Sequence, residues 1–566
     1  VGTSISGFRL NRRLPRAGEG AWYQALRGTE AVVLLITQPD DPHDLHGAWR
    51  RSADACDLVM APTAVAVQGW RVSSASAPIG PSLSEILAGA RTTPPTVNVL
   101  GQVERLVYPL VQACAALHVQ DAVLGMVNPE HFIFTDAGFR TLLPPPRPEA
   151  PLRRLIPGFS GPEHAGHCGG RLDAHSDVFF CGMVLYYLLT RVRPLAETAA
   201  FEHPIPAAHV YQDNLPPGLC AVVRRATSPI PSRRYVDGSA LFGALERAIN
   251  TARLRAAAVR GRRLGVDIGH ERHIGVLKGQ YAPVNQDDLF LGYHAPTGIG
   301  LFTVADGVSI SRHGTGDQAS ACVRQSATSL WHAILEGRPG DVSIEDETVD
   351  GFGESSPALP EEESVRRGML KQMIQQANTR IGELVHIDRP RFIGPPEGIM
   401  ASTTVTVLLD QNRATLMSIG DSRIYLVRDG HIASLMVDHD LATQLVRMGR
   451  PPSLARAVPS AAALVRCVGE FEKDSDDRLV AADLNPGFRS FTLLPGDSLV
   501  LCSDGIPDYG GFDHEDADDR IREIVETADG ARWAAFELMV LANRGGGGDN
   551  ISCIVLNFGE PYVEPA

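Results

Sequence analysis

Lysine is missing from the first 277 residues of this 566-residue chain, whose first lysine is Lys278. Chemistry that needs a lysine ammonium is therefore excluded from the first half. The nine cysteines include no Cys-x-x-Cys pair and sit among mostly apolar neighbours. That excludes a paired-cysteine redox motif and reads as reduced core residues. No run of about 18 apolar residues offers a bilayer span. A basic-then-apolar leader is absent after Val1, so a secretory signal is absent or trimmed and a cytoplasmic location is expected. Basic residues form no dense stripe interleaved with aromatics, so neither a nucleic-acid nor a membrane partner is expected. No internal repeat is present.

What is there is ordinary globular composition, 44% hydrophobic and 21% charged, in a chain too long for one hydrophobic core. Two or more domains are expected. The net charge of −14 is divided unevenly. Residues 1–264 carry 27 arginines against 21 acidic residues, whereas the remainder carries 25 basic against 45 acidic residues. This change of electrostatic character supports a boundary near 264, and an acidic second half tends to collect divalent cations.

In the first half, "GFRLNRRL", "AWYQALRG" and "EAVVLLIT" read as strands, with a Gly-x-Gly turn, "AGEGAW" at 17–22, between the first two. Apolar periodicity predicts a helix in "LVYPLVQACAALHVQ" (106–120). Then come "MVNPEHFIF" (126–134), "GFSGPEHAG" (158–166), "HSDVFFCGMVLYYLLTRVRPL" (175–195) and "SPIPSRRYVDGSALFGAL" (228–245). In this order the pieces resemble the protein kinase family, which implies an N-terminal α+β protein-kinase-like fold over residues 1–250. The resemblance also implies that catalysis is lost. Phosphoryl transfer in that family needs a strand lysine, a catalytic-loop Asp and Asn, and the Asp of Asp-Phe-Gly. Here the strand reads "VVLLIT", and the other positions fall on Met126, His131 and Pro144-Pro145-Pro146. His131 reads as a core or surface histidine. Glu163, Asp177 and either Arg233 or Arg234 match residues that hold a kinase C-lobe together. The implied module is a pseudokinase, kept for binding or regulation, followed by a basic helical linker at 251–263, "TARLRAAAVRGRR".

The second half alternates apolar and polar residues in "LFTVADG", "STTVTVLLD", "ATLMSIGDSRIYLVRDG" and "DSLVLCSDG", which predicts an antiparallel meander. Helical patterns occupy 317–335 and 363–387. Aspartates stand at strand ends or beside glycines: Asp287, Asp306, Asp421, Asp504 and Asp549. A carboxylate held at the end of an apolar strand is costly unless a cation neutralises it. Singly each Asp-Gly is a turn signal, but five such sites point to a hard-metal centre, and oxygen-only ligands favour Mg²⁺ or Mn²⁺ over zinc.

The wording around them, "VNQDD", "VADG" with "GDQAS", "STTVTVLL", "IGDSRIYLVRDG", "DHDLATQLVRMG", "LLPGDSLVLCSDGIPD" and "GGGGDNISCIVL", resembles the metal-dependent type 2C protein phosphatase (PPM) family. The resemblance implies a C-terminal α-β-β-α sandwich over 264–560 with two metals, and a third more weakly held. Its catalytic carboxylates would be Asp306, Asp504 and Asp549. Asp306 would bridge both metals with the Gly307 carbonyl on one, and Asp287 would hold metal-bound waters. Asp421, Asp504 and Asp508 would match the third site, while Asp288 is taken as a surface charge. Family chemistry is in-line attack on a phosphoserine or phosphothreonine by water activated between ions about 3.5–4 Å apart.

Two departures are expected to lower activity. The family's phosphate-gripping arginine, three residues before the Asn of the first motif, falls on Ala282, at a cost of about 1.5–3 kcal/mol. After Asp306-Gly307 stands Val308-Ser309-Ile310-Ser311, without a histidine. An acidic insertion occupies 337–363, and residues 440–490 resemble the family's variable flap. The expected protein is a bacterial-style phosphoprotein phosphatase regulated or targeted through intramolecular contact with its pseudokinase. Its partners would be a phosphoprotein and a cognate kinase or that kinase's target. The competing reading is a non-catalytic scaffold of dead kinase beside dead phosphatase.

Overall fold

The structure is a computed structural model. It describes residues 4–5, 7–14, 21–40, 44–55, 60–67, 70–90, 98–125, 128–135, 138–141, 156, 158–165, 172–192, 205–212, 214–309, 314–337, 361–385, 398–475 and 479–561. Met126 and Pro144, two of the degenerate kinase positions, and most of the acidic insertion lie outside the described residues. The chain divides into two compact units, Val1–Ile249 and Asn250–Ala566.

The first unit opens with a six-stranded antiparallel sheet. Its strands are β1 (Ser4–Ile5), β2 (Phe8–Arg13), β3 (Ala21–Arg27), β4 (Glu30–Thr37), β5 (Thr63–Val67) and β6 (Trp70–Ser76), in spatial order β1-β2-β3-β4-β6-β5. Strand β4 shows the two-residue period: Val32, Leu34 and Ile36 join Phe8 and Leu10 on one face, Val33 and Leu35 join Trp22 on the other. Between β4 and β5, helix α1 (Leu45–Ala55) supplies Trp49, whose ring lies 4.9 Å from that of Trp22.

The rest of the unit is mainly helical: α2 (Leu83–Ala90), α3 (Val99–His118), the hairpin β7 (Phe132–Thr135) and β8 (Gly138–Thr141), α4 (Ala174–Thr190), α5 (Pro217–Ala226) and α6 (Gly238–Ala257). Every residue of α4 from Ser176 to Thr190 is buried, as its near-continuous apolar sequence requires of a central helix. Gly238 opens α6 where a Cβ would come within 2.5 Å of the Ala115 nitrogen on α3, so only glycine permits the approach. Helix α6 continues through 251–257 and stops; the remainder of the expected helical linker, 258–263, is not helical.

In the second unit the strands are β9 (Leu264–His273), β10 (Asp288–His294), β11 (Ile299–Gly307), β12 (Ser402–Asp410), β13 (Arg413–Ile419), β14 (Arg423–Arg428), β15 (His431–Ser434), β16 (Phe471–Lys473), β17 (Leu479–Ala481), β18 (Gly487–Thr492), β19 (Ser498–Cys502) and β20 (Ile551–Pro561). Its helices are α7 (Gly316–Leu335), α8 (Glu361–Val385), α9 (Leu441–Arg447), α10 (Pro452–Arg456), α11 (Gly505–Tyr509), α12 (His514–Thr527) and α13 (Ala531–Arg544). Two five-stranded sheets form, β10-β11-β12-β13-β18 and β15-β14-β19-β20-β9. Phe302, Val405, Leu416, Leu499 and Leu556 fill the space between them. Helices α7 and α8 cover the outer face of the first sheet through Cys322, Leu370 and Ile374, and α12 and α13 cover the second through Ile521 and Leu538. The layers are therefore α-β-β-α.

The single expected meander is divided between these sheets. Strand β13 pairs with β12 and β18, but β14 pairs with β15 and β19. The alternation predicts strands and cannot choose partners here, because both faces of β13 are buried: Leu416 faces the sandwich and Met417 the helix layer.

Candidate metal centre

Each sheet delivers aspartates to one place. Strand β11 ends on Asp306-Gly307, whose backbone is pinned by the Gly307 N–H donating to the Gln286 carbonyl (3.1 Å) and the Ser402 hydroxyl donating to the Asp306 carbonyl (2.9 Å). A Cβ on Gly307 would meet the Gly316 carbonyl at 2.2 Å, so the glycine lets the start of α7 press against this strand end. Strand β19 ends at Cys502, two residues before Asp504, and Asp549 lies two residues before the start of β20. Asp287 lies at the head of β10 and is 1% exposed. The Ser503 hydroxyl donates to Asp287 Oδ2 at 2.9 Å and accepts the Ser552 N–H at 3.1 Å. Asn550 links the same segments, accepting the Gln286 N–H (3.0 Å) and donating to the Ile274 carbonyl (3.0 Å).

The carboxylates oppose one another's ionisation. Burial first, then the like charges of Asp287, Asp504, Asp549 and Asp421, pushes Asp306 well above the ordinary aspartate range. Asp504 is raised in the same sense by burial and by Asp421, Asp549, Asp508 and Asp287. Asp287 is pushed up to about 6 chiefly by burial, against the pull of the Ser503 hydrogen bond. Asp421 reaches about 6 through burial and the nearby Asp438, and burial also raises Asp508. The structure therefore brings together Asp287, Asp306, Asp421, Asp504, Asp508 and Asp549. Asp288 points away from this set, between Arg272 (2.9 Å) and Arg324 (2.6 Å).

Two buried oxygens, Asp287 Oδ1 and Asp504 Oδ1, have no hydrogen-bond partner. Orphaned carboxylate oxygens are costly unless a cation meets them, and an all-oxygen set suits a hard divalent ion. Among the described residues, however, no three His, Cys, Asp or Glu side chains already stand in a ligating arrangement. The donors fit a hard divalent ion in chemistry.

Ala282 stands where the family's phosphate-gripping arginine is expected, and no role at this centre was expected of Lys278. Its side chain is 5% exposed, and its ammonium donates to Asp549 Oδ1 and to the Ser309 hydroxyl, 2.9 Å away. Lys278 opens a 3-10 turn over Lys278–Gln280, and its carbonyl accepts the Ala282 N–H at 2.9 Å. The available signal was that Lys278 is the first lysine of the chain. Ser503 and Asn550 were also missed, and their residue types gave no signal.

In the first unit, polar anchors are fully paired. Arg234, rather than Arg233, grips Glu163 in a bidentate pair at 2.7 and 3.2 Å. Arg234 also donates to the Ser228 and His175 carbonyls and lies over the Phe179 ring. Asp177 accepts N–H bonds from Leu124 and Gly125. His118 Nδ1 accepts the Gly238 N–H, which leaves its proton on Nε2 to donate to Asp177 at 2.9 Å. His131 is buried in a 3-10 turn whose start is capped by Asn128.

Fold and site together define an α-β-β-α protein with an oxygen-only carboxylate centre at strand ends. A family model described as Protein phosphatase 2C matches residues 280–539. A putative protein phosphatase 2C-type of Streptococcus pyogenes is 31% identical over 199 residues, covering 35% of this chain and 72% of that protein. The chain belongs to the protein phosphatase 2C family. The serine/threonine protein phosphatase PstP of Mycobacterium tuberculosis is 32% identical over 157 residues, 28% of this chain; the match spans 27% of the length of PstP. Among solved structures, the PstP/Ppp phosphatase of M. tuberculosis has 23% identity and a TM-score of 0.37, covering 52% of this chain and 99% of that one. The S. agalactiae serine/threonine phosphatase has 24% identity and a TM-score of 0.38, with the same coverage.

Proposed function

We propose that the second unit is a metal-dependent phosphoprotein serine/threonine phosphatase. The observation that carries this is the buried carboxylate set with two orphaned oxygens, in a chain of the 2C family. Asp306, Asp504 and Asp549 would hold two Mn²⁺ or Mg²⁺ ions with the Gly307 carbonyl and Asp287, and Asp421 and Asp508 a third with Asp504. When bound, such ions activate a water for in-line attack and neutralise phosphate oxygens. The chain's own part is to hold the carboxylates rigidly. Ser503, held by the Ser552 N–H, fixes the Asp287 side chain, and Asn550 ties the Asp549 loop to the Gln286 segment. Residues 440–490, beside "DHD", would select the phosphoprotein.

The first unit is proposed to be a kinase-like module without phosphotransfer, supported by its lack of any lysine and by the paired anchors Glu163–Arg234 and His118–Asp177. It would regulate the phosphatase or target it to a substrate, such as a cognate kinase or that kinase's target. A non-catalytic scaffold is the second reading, favoured by Lys278 sitting on Asp549. The deciding assay is hydrolysis of p-nitrophenyl phosphate and a phosphothreonine peptide by the full chain with Mn²⁺ or Mg²⁺, beside Asp306→Ala and Asp504→Ala. Metal-dependent turnover lost in both variants supports the phosphatase; no turnover by the full chain or by residues 264–566 supports the scaffold. Equal turnover and metal affinity in fragment and full chain would remove regulation by the first unit.

A further inference from the structure

Among the aspartates of the centre, Asp287, Asp306, Asp421, Asp504 and Asp508 form no ion pair in the described residues, whereas Asp549 pairs with Lys278. The lysine is built into place. Leu277 and Lys278 both donate backbone N–H to the Gly547 carbonyl at 3.0 Å, and the Val276 N–H donates to Asn543 Oδ1 at 2.9 Å. A Cβ at Gly275 would meet the Asp549 carbonyl at 2.2 Å. The segment is thus laced to the loop that carries Asp549. The second partner of the ammonium, Ser309, follows Asp306-Gly307 by two residues and itself donates to Gln286 Oε1 at 2.7 Å. A single buried positive charge therefore bridges the loop after Asp306 and the loop of Asp549, within a set of like-charged carboxylates.

We propose that Lys278 is a tethered cation that occupies Asp549 when no metal does, so that a divalent ion binding there has to displace it. Asp549 Oδ1 already accepts the ammonium and the Asn550 N–H, and a divalent ion on the same carboxylate would be repelled by the ammonium. The chain would then set a threshold concentration for metal through an internal competitor. The inference rests on the reading of this centre as a metal site and does not depend on turnover.

The test is calorimetric titration of the full chain with Mn²⁺, comparing wild type with Lys278→Met and Lys278→Arg. Removing the competitor should tighten Mn²⁺ binding by about tenfold, the scale of one charge-assisted hydrogen bond, with Lys278→Arg staying near wild type. Lys278→Met should also melt at a lower temperature without metal and gain more from Mn²⁺ than wild type does. Should that variant fail to fold, amine acylation of the wild-type chain read by mass spectrometry gives the same answer. The chain has only Lys278, Lys371 and Lys473, so the last two serve as internal references. Lys278 labelling should rise on adding Mn²⁺. Mn²⁺ affinity unchanged or weaker in Lys278→Met, or Lys278 labelling unmoved by bound Mn²⁺, overturns the proposal while leaving the metal site standing. No Mn²⁺ binding to any form removes the metal reading and this proposal with it.

Discussion

Both units bury carboxylates paired with cations, Glu163 in the first and Asp497 and Glu363 in the second, but the aspartate centre of the second unit is treated in the opposite way. Glu163 and Asp177 in the first unit are surrounded by donors of their own chain: a bidentate arginine for one, a histidine and two backbone N–H groups for the other. In the second unit Asp287, Asp306, Asp421 and Asp504 crowd together, and only neighbouring Asp549 has a lysine. Internally satisfied charge stabilises a fold and asks for nothing further. Crowded charge stores repulsion that an external cation relieves, so the aspartate cluster has the character of a site and the Glu163 and Asp177 pairs that of structural anchors.

The same substitution in the two units breaks this contrast most directly. Glu163→Ala leaves the Arg234 guanidinium, whose side chain is 0% exposed, buried without its partner, and should cost about 3–5 kcal/mol in denaturant unfolding of the first unit. Asp306→Ala should do the reverse in metal-free protein, leaving the melting temperature unchanged or higher because a like charge is removed. With Mn²⁺ present it should reduce phosphopeptide turnover by at least about 10²-fold, the scale of losing an electrostatic clamp. A large metal-free destabilisation by Asp306→Ala would erase the distinction.

A finer probe is Ser503→Ala, which removes the donor to Asp287 Oδ2 without touching a carboxylate. Metal affinity by calorimetry should fall about tenfold, as for other hydrogen bonds that orient a metal ligand. The smallest effect is in pH. Arg234 holds Glu163 below its usual range against the opposing push of burial, so its stabilisation is in force above the unfolded value and is lost as pH falls through the lowered one. Asp287 and Asp421 are raised to about 6. Their penalty therefore applies above that pH and fades on acidification toward the unfolded aspartate value. Hydrogen exchange of metal-free protein, corrected for intrinsic rate, should show the second unit protected more at pH 5 than at pH 7, with no such gain around Glu163.

Separating the units offers one more way to sharpen the comparison. If the first unit regulates, residues 264–566 alone should differ from the full chain in turnover or in Mn²⁺ requirement, measured on the same peptide.

Much of this molecule was legible in its sequence. Strands β11, β12 and β19 lie in stretches whose alternation drew attention to them, β2, β3 and β4 in stretches read as strands, and α3, α7 and α8 in stretches with helical apolar patterns. Asp306 and Asp504 were visible because a carboxylate closing an apolar strand contradicts its surroundings. Residue type and local period determined these features, since backbone geometry couples both to neighbours within a few positions. Tertiary structure alone decided which sheet β13 and β14 join, that Arg234 rather than Arg233 meets Glu163, and that Lys278 brings a cation to the centre. Each depends on residues far apart in the chain. Counting along the sequence measures contour and not distance, and the chemistry of this centre is set by distance.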